Sequence, residues 1–124
     1  MGEDAPATIL VVDDDETLCE ILVNSFRLLG MKAVGAGDGQ EALKIIRSKQ
    51  NVDVILSDVR MPIMDGLELL RTVQDSKLSI PVMLMTGFSD FSDDELYKKG
   101  AKAVFAKPFA AKQVFDMLAK VLPA

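Results

Sequence analysis

The fold is decided by one stretch near the N-terminus, ILVVDDD at residues 9–15. Four aliphatic residues follow one another without polar alternation, which is typical of a strand buried on both faces of a sheet. The stretch then changes abruptly to three consecutive aspartates. Negative charges crowded at the end of a buried strand are unfavourable unless a cation neutralises them. The stretch therefore predicts a central strand with a cation site at its end.

Four further apolar runs repeat this organisation, at residues 31–35, 54–57, 82–85 and 103–106. Apolar residues at helical spacing lie between the runs, and a last helix is predicted over residues 111–122. The regular alternation predicts an α/β fold, an open, doubly wound parallel sheet of five strands with helices on both faces and right-handed crossovers. We predict one domain over residues 8–122, after a disordered leader at residues 1–7.

The composition narrows the classes of function. The chain has 124 residues, 49% hydrophobic content and a net charge of −5, which indicates one packed domain. Because it is acidic and lacks a basic run, we expect no direct binding to nucleic acid or membrane. No apolar run approaches the roughly 20 residues that span a bilayer, and we expect a cytoplasmic location. The chain contains no histidine, which excludes histidine-based acid–base catalysis.

Reactive side chains follow four of the predicted strands. Asp13 and Asp14 follow the first, Asp58 the third, Thr86 the fourth and Lys107 the fifth. Each alone is also explained as a helix cap, a turn residue or a solvated loop charge. Together they are expected on one rim, because ligands bind at the carboxyl ends of strands in open α/β sheets. Three carboxylates suit Mg²⁺, and an aspartate can accept a phosphoryl group beside a metal ion and a lysine.

These motifs together resemble the receiver domain of two-component response regulators. The resemblance extends in order along essentially the whole chain and rests on Asp13-Asp14, Asp58 with Met61-Pro62 and Asp65-Gly66, Thr86, and Lys107-Pro108-Phe109. It implies the strand order 2-1-3-4-5 that is known for receivers. It also implies a cis peptide bond between Lys107 and Pro108.

The resemblance implies a magnesium site built around the phosphoacceptor. Asp58 is the expected acceptor. Asp14, Asp58 and the backbone carbonyl of Arg60 are the expected Mg²⁺ ligands, and Asp13 is expected to act mainly through a bound water.

The resemblance also implies the partners of the site. Lys107 is expected to pair with the acceptor carboxylate and then with the phosphoryl group, and Thr86 to hydrogen-bond a phosphoryl oxygen. The phosphodonor is expected to be a sensor histidine kinase or a histidine phosphotransfer protein, since this chain has no histidine of its own. The last helix–strand–helix face, residues 92–122, is expected to bind a downstream output protein or domain. A phosphorylation-dependent dimer stays open, and no separate enzyme activity is expected.

Three positions bear on how such a switch would work. Val104 lies where receivers often carry Tyr or Phe, and an aliphatic side chain cannot make the same inward and outward rotation. Arg60 and Phe88 occupy positions that tune the lifetime of the phosphoryl group in this family. We hypothesise that both side chains screen the acyl phosphate from water; the alternative is that they lie flat on the surface.

Two rival interpretations are kept. The Asp13-x-Asp15 pattern resembles the aspartate nucleophile motif of haloacid-dehalogenase-like phosphatases, although Asp58 then has no role. The other rival is a receiver-like docking module that no longer needs phosphate. A small phosphodonor should label Asp58 in a receiver domain and Asp13 in such a phosphatase. The effect of Asp58→Asn and Asp58→Glu on partner binding distinguishes the second.

Overall fold

Strands and helices alternate along the chain in the computed structural model, which describes residues 6–48, 50–87 and 91–122. The strands are β1 (Thr8–Val12), β2 (Lys32–Ala36), β3 (Val54–Asp58), β4 (Val82–Thr86) and β5 (Ala103–Ala106). The helices are α1 (Glu16–Leu28), α2 (Gly39–Arg47), α3 (Gly66–Asp75), α4 (Asp93–Lys98) and α5 (Ala111–Val121).

All strands of the sheet are parallel, and their order is β2-β1-β3-β4-β5. The predicted fold class and strand order are therefore confirmed. β1 lies between two neighbours, with Leu10 opposite Val34 of β2 and Ile55 of β3. β2 is an edge strand, and Lys32 at its start is exposed to solvent. A lysine on an edge strand disfavours pairing with a second sheet.

The aliphatic residues of the opening stretch form the centre of two separate cores. All four, residues 9–12, are 0% exposed. Ile9 and Val11 pack with side chains of α1 and α5 on one face of the sheet. Leu10 and Val12 pack with side chains of α2 and α3 on the other face. Burial of each side chain contributes about 1.5–3 kcal/mol, so the position of β1, and of the aspartates that follow it, is strongly fixed.

Side chains cap the N-termini of the first four helices. Asp15 accepts a hydrogen bond from the N–H of Leu18 and caps α1. Asp38, Asp65 and Ser92 cap α2, α3 and α4 in the same way. Such caps satisfy backbone N–H groups that have no partner within the helix. The third aspartate of the opening stretch therefore belongs to helix α1.

The observed bounds of some strands and helices differ from the predicted ones. β2 begins and ends one residue later than predicted, and α5 ends at Val121. In α3 the buried side chains are Leu69, Leu70 and Val73, whereas the apolar Leu67 is only half-buried. Packing against the sheet decides which apolar side chains of the helix are buried.

Several predictions fall at the limits of the described residues. Most of the predicted leader at residues 1–7 and the hypothesised screening residue Phe88 lie outside them. The domain boundaries stay a prediction. In the described residues no helix is both long enough and apolar enough to cross a lipid bilayer.

Candidate functional site

The sheet topology brings the predicted site residues to one edge. β1 and β3 are neighbours, so Asp13 and Asp58 lie at adjacent strand ends. Thr86 ends β4, and Lys107 directly follows β5. The backbone N–H of Lys107 donates to the carbonyl oxygen of Thr86 at 2.7 Å. Residues far apart in the sequence therefore form one continuous rim.

Asp13, Asp14 and Asp58 form a cluster of acidic groups on this rim. One carboxylate oxygen of each lies within 4.8 Å of those of the other two. Asp13 is 1% exposed, Asp58 is partly buried and Asp14 is exposed. The cluster is thus anchored in the protein on one side and open to solvent on the other. A set of oxygen donors with an open side suits Mg²⁺, which retains water ligands and binds phosphate oxygens.

Lys107 connects two carboxylates of the cluster. Its Nζ donates hydrogen bonds to Asp13 Oδ2 at 2.9 Å and to Asp58 Oδ2 at 3.1 Å. Asp13 Oδ1 also accepts the backbone N–H of Asp15 at 2.9 Å. Both oxygens of Asp13 are therefore held. The sequence predicted the contact with Asp58 but missed Asp13 as a second partner. The Lys107–Pro108 peptide bond is cis, as the resemblance implied.

Burial and ion pairing act in opposite directions on the two charged partners. Burial raises the pKa of the Asp58 carboxyl above its usual value, although the hydrogen bond from Lys107 opposes this. Burial lowers the pKa of the Lys107 ammonium, but its hydrogen bonds to Asp13 and Asp58 outweigh burial and leave the pKa raised. The cluster holds three carboxylates against this ammonium group. A divalent cation would neutralise the excess negative charge.

The loop from β3 to α3 packs directly against the backbone of Asp58. A Cβ added at Gly66 would overlap the carbonyl oxygen of Asp58, so only glycine fits there. The N–H of Gly66 donates to the carbonyl oxygen of Val59 at 2.9 Å. The fully buried Ser57 hydroxyl donates to the carbonyl oxygen of Asp58 at 2.9 Å. Sequence reasoning missed the support by Ser57, because a serine inside an apolar run gives no distinct pattern.

Two other predicted site residues lie beside the acidic cluster. Thr86 is 7% exposed at the end of β4. Arg60 is exposed in the loop two residues after Asp58. A screening role for Arg60 stays a prediction.

Val104 has a partner that the sequence did not predict. Its backbone N–H donates to Tyr97 Oη at 3.1 Å, and this bond joins β5 to α4. Tyr97 is 46% exposed, and the Val104 side chain is half-buried. The neighbouring Phe105 packs in the core, because successive side chains of a strand point to opposite faces of the sheet.

Comparison with known proteins identifies the family. Residues 9–119 match the family model described as "Response regulator receiver domain". The chain belongs to this family. It is therefore a receiver domain of two-component response regulators, a class of signalling module. Family membership and the capping role of Asp15 overturn the phosphatase alternative, in which Asp15 would serve the active site.

Curated relatives of this receiver domain include phosphorelay and transcriptional regulators. Sporulation initiation phosphotransferase F of Bacillus subtilis is 34% identical over 93% of each chain. Transcriptional regulatory protein ZraR of Klebsiella oxytoca is 41% identical over 81% of this chain and 23% of its own length. The receiver domain spans between 23% and 50% of the length of the transcriptional regulators that it matches.

Solved receiver structures share the fold over almost their whole length. Chemotaxis response regulator CheY4 of Vibrio cholerae is 30% identical, with a TM-score of 0.81 over 95% of this chain and 100% of that chain. Response regulator protein TrrA of Thermotoga maritima, in complex with Mg²⁺-BeF, is 29% identical. Its TM-score is 0.82, covering 94% of this chain and 99% of that chain.

Proposed function

We propose that Asp58 is the phosphoacceptor of this receiver domain. A carboxylate oxygen of Asp58 attacks phosphorus, an O–P bond forms, and the N–P bond of a phosphohistidine on another protein breaks. The departing imidazole takes up a proton from solvent. The observation that carries the proposal is the double hydrogen bond of Lys107 to Asp13 and Asp58. It holds a positive charge beside the carboxylate that would receive the phosphoryl group, and such fixed charges are the main contribution to phosphoryl transfer.

Mg²⁺ is the metal ion that best fits the acidic cluster. Asp14 and Asp58 would hold it with the backbone carbonyl of Arg60, and the buried Asp13 would contact it mainly through water. The ion would neutralise phosphoryl oxygens during transfer. The mutual closeness of the three carboxylates supports this assignment. The related TrrA is described in complex with Mg²⁺-BeF, which supports it further.

The proposed partners are a phosphohistidine donor and an output protein or domain. The donor is a sensor histidine kinase or a histidine phosphotransfer protein. The relationship to a sporulation phosphotransferase and to transcriptional regulators supports both kinds of partner. A phosphorylation-dependent dimer and a cytoplasmic location belong to the same proposal. The chain acts as a switch and has no separate substrate.

The change on phosphorylation would start at Thr86. Its hydroxyl would hydrogen-bond a phosphoryl oxygen, and its carbonyl already accepts the N–H of Lys107. A shift there would reach α4, β5 and α5, where Tyr97 joins α4 to β5 through Val104. Adding about two negative charges in a partly buried site is enough to shift a conformational equilibrium.

Incubation with acetyl phosphate tests the proposal. Whole-protein mass spectrometry should show one added phosphoryl group with Mg²⁺ and almost none with EDTA. Asp58→Asn should abolish the addition, whereas the control Asp53→Asn should keep it. If a partner bound the wild type, Asp58→Asn and Asp58→Glu equally well, the phosphate-independent docking module would be favoured instead.

A further inference from the structure

Ile63 combines two unfavourable features in the loop from β3 to α3. Its side chain is 68% exposed. Its φ angle is +70°, in the left-handed region that strains a β-branched residue. A polar residue at this position would be favourable in solvent, and a glycine or asparagine would adopt the positive φ with little strain. Isoleucine has neither property.

A tight turn holds Ile63 in this conformation. The N–H of Met64 donates to the carbonyl oxygen of Pro62 at 2.7 Å, so the hydrogen bond spans only the residue between them. With a positive φ at its centre, this γ-turn is of the rarer, strained hand. The carbonyl oxygen of Met64 also accepts the N–H of Gly39 in α2 at 3.1 Å. This hydrogen bond therefore connects the turn to helix α2.

The loop covers part of the Met61 and Met64 side chains but leaves Ile63 exposed. Met61 and Met64 are half-buried and pack against the core that α2 and α3 cover. In the described residues no hydrophobic cluster includes Ile63. Ile63 therefore keeps most of its apolar surface in solvent while its backbone holds a strained conformation. Strained residues that persist in this way are concentrated at functional sites.

The position of the turn connects Ile63 to the phosphoacceptor. The N–H of Gly66 donates to the carbonyl oxygen of Val59 and closes the loop, and Gly66 itself packs against the backbone of Asp58. Ile63 therefore projects from a closed loop whose base touches the acceptor residue.

We propose that Ile63 is a specificity-determining contact for the protein that donates the phosphoryl group. It would anchor an apolar patch next to the donor's phosphohistidine. This inference rests on the proposed function of Asp58. An in-line donor must place its phosphorus against the Asp58 carboxylate, so its surface has to cover the loops at the carboxyl edge of the sheet. An output partner has no such constraint. A small phosphodonor has no protein surface with which to contact the exposed side chain of Ile63.

The test compares a protein donor with a small one. The protein probes are the histidine kinases and histidine phosphotransfer proteins of the source organism, each phosphorylated and mixed with the wild type to find the fastest donor. The small probe is acetyl phosphate with Mg²⁺. Ile63→Asn removes the apolar side chain but tolerates a positive φ, and Ile63→Val keeps a β-branched apolar side chain. Leu28→Asn is the control, since Leu28 is 89% exposed and ends α1 at the opposite edge of the sheet.

Ile63→Asn should slow transfer from the protein donor about tenfold or more, as expected for an interface anchor. Its labelling by acetyl phosphate should stay within about twofold of the wild type. Ile63→Val and Leu28→Asn should transfer at nearly the wild-type rate. An unchanged rate from the protein donor, or the lack of any protein donor for the wild type, would overturn the inference. Failure of acetyl phosphate to label the wild type would instead overturn the proposed function of Asp58.

Light scattering separates this account from self-association. The donor account predicts the same molar mass for the unphosphorylated wild type and Ile63→Asn. A wild-type dimer that Ile63→Asn dissociates would show that Ile63 contacts a second copy, and would overturn the donor assignment.

Discussion

Lys107 makes its shorter side-chain hydrogen bond, 2.9 Å, with Asp13 and not with the proposed acceptor. The Asp13 side chain is 0% exposed, and the N–H of Asp15 holds its other oxygen. The ammonium group is therefore positioned by a residue that does not react. It can stay in place while the charge on Asp58 changes.

Lys107→Met should destabilise the protein and slow its phosphorylation. The substitution leaves the buried Asp13 carboxylate and the partly buried Asp58 carboxylate without this positive partner, which we expect to lower the free energy of unfolding by about 2 kcal/mol. Labelling by acetyl phosphate should slow at least tenfold, since a fixed charge beside the transferring group is lost. Urea unfolding and mass spectrometry measure the two effects. Lys112→Met is the control, because Lys112 pairs with Asp116 on the surface and should change stability by less than about 0.5 kcal/mol. Equal effects of the two substitutions would contradict this assignment.

Asp58→Asn should stabilise the protein in the absence of Mg²⁺. Burial holds the pKa of Asp58 in the folded state above its value in the unfolded chain. At a pH between these two pKa values, the folded state therefore binds more protons than the unfolded state. Wild-type stability therefore falls as the pH rises from about 3.9 through the raised pKa. Asparagine does not titrate, so Asp58→Asn should unfold at a higher temperature than the wild type at neutral pH, and this difference should shrink as the pH falls below the raised pKa. Thermal unfolding across this pH range in EDTA measures the difference. A variant less stable than the wild type at pH 7 would count against the charge crowding.

Mg²⁺ should stabilise the wild type but not Asp14→Asn. Asp14 is exposed, so its substitution should leave stability in EDTA nearly unchanged while removing a metal ligand. At a Mg²⁺ concentration ten times its Kd, the wild type should gain about 1.4 kcal/mol. Asp15→Asn is a matched control, because Asp15 caps α1 and asparagine is an equally good cap. Similar Mg²⁺ responses of wild type and Asp14→Asn would place the ion elsewhere.

Tyr97→Phe should loosen the connection between α4 and β5. It removes the hydroxyl that accepts the N–H of Val104 and should lower stability by about 1 kcal/mol at most. Hydrogen exchange followed by NMR should show faster exchange of the Val104 amide, with little change at buried amides of β1. Unchanged protection of Val104 would show that this hydrogen bond does not hold the edge of β5.

The fold could be predicted because its signals are local. Apolar runs mark the strands, and the helix caps Asp15, Asp38 and Ser92 are residue types that commonly begin helices. The site could be predicted in outline because parallel strands bring their carboxyl ends to one edge, so the residues after them must meet.

The remaining features depend on contacts that a sequence does not display. The second hydrogen bond of Lys107 follows from the depth at which Asp13 is buried. Tyr97 reaches Val104 only because α4 packs along β5. The positive φ of Ile63 is set by the closure of its loop against α2, and the residues around it do not indicate this geometry.

The residue that carries the phosphoryl group is the most direct test of the account. The wild type would be labelled by acetyl phosphate with Mg²⁺, the acyl phosphate trapped by borohydride reduction, and the modified residue located by peptide mass spectrometry. The account predicts reduction at Asp58, with none in Asp58→Asn and little without Mg²⁺. Reduction at Asp13 or Asp14 in the wild type, or undiminished labelling of Asp58→Asn, would contradict it.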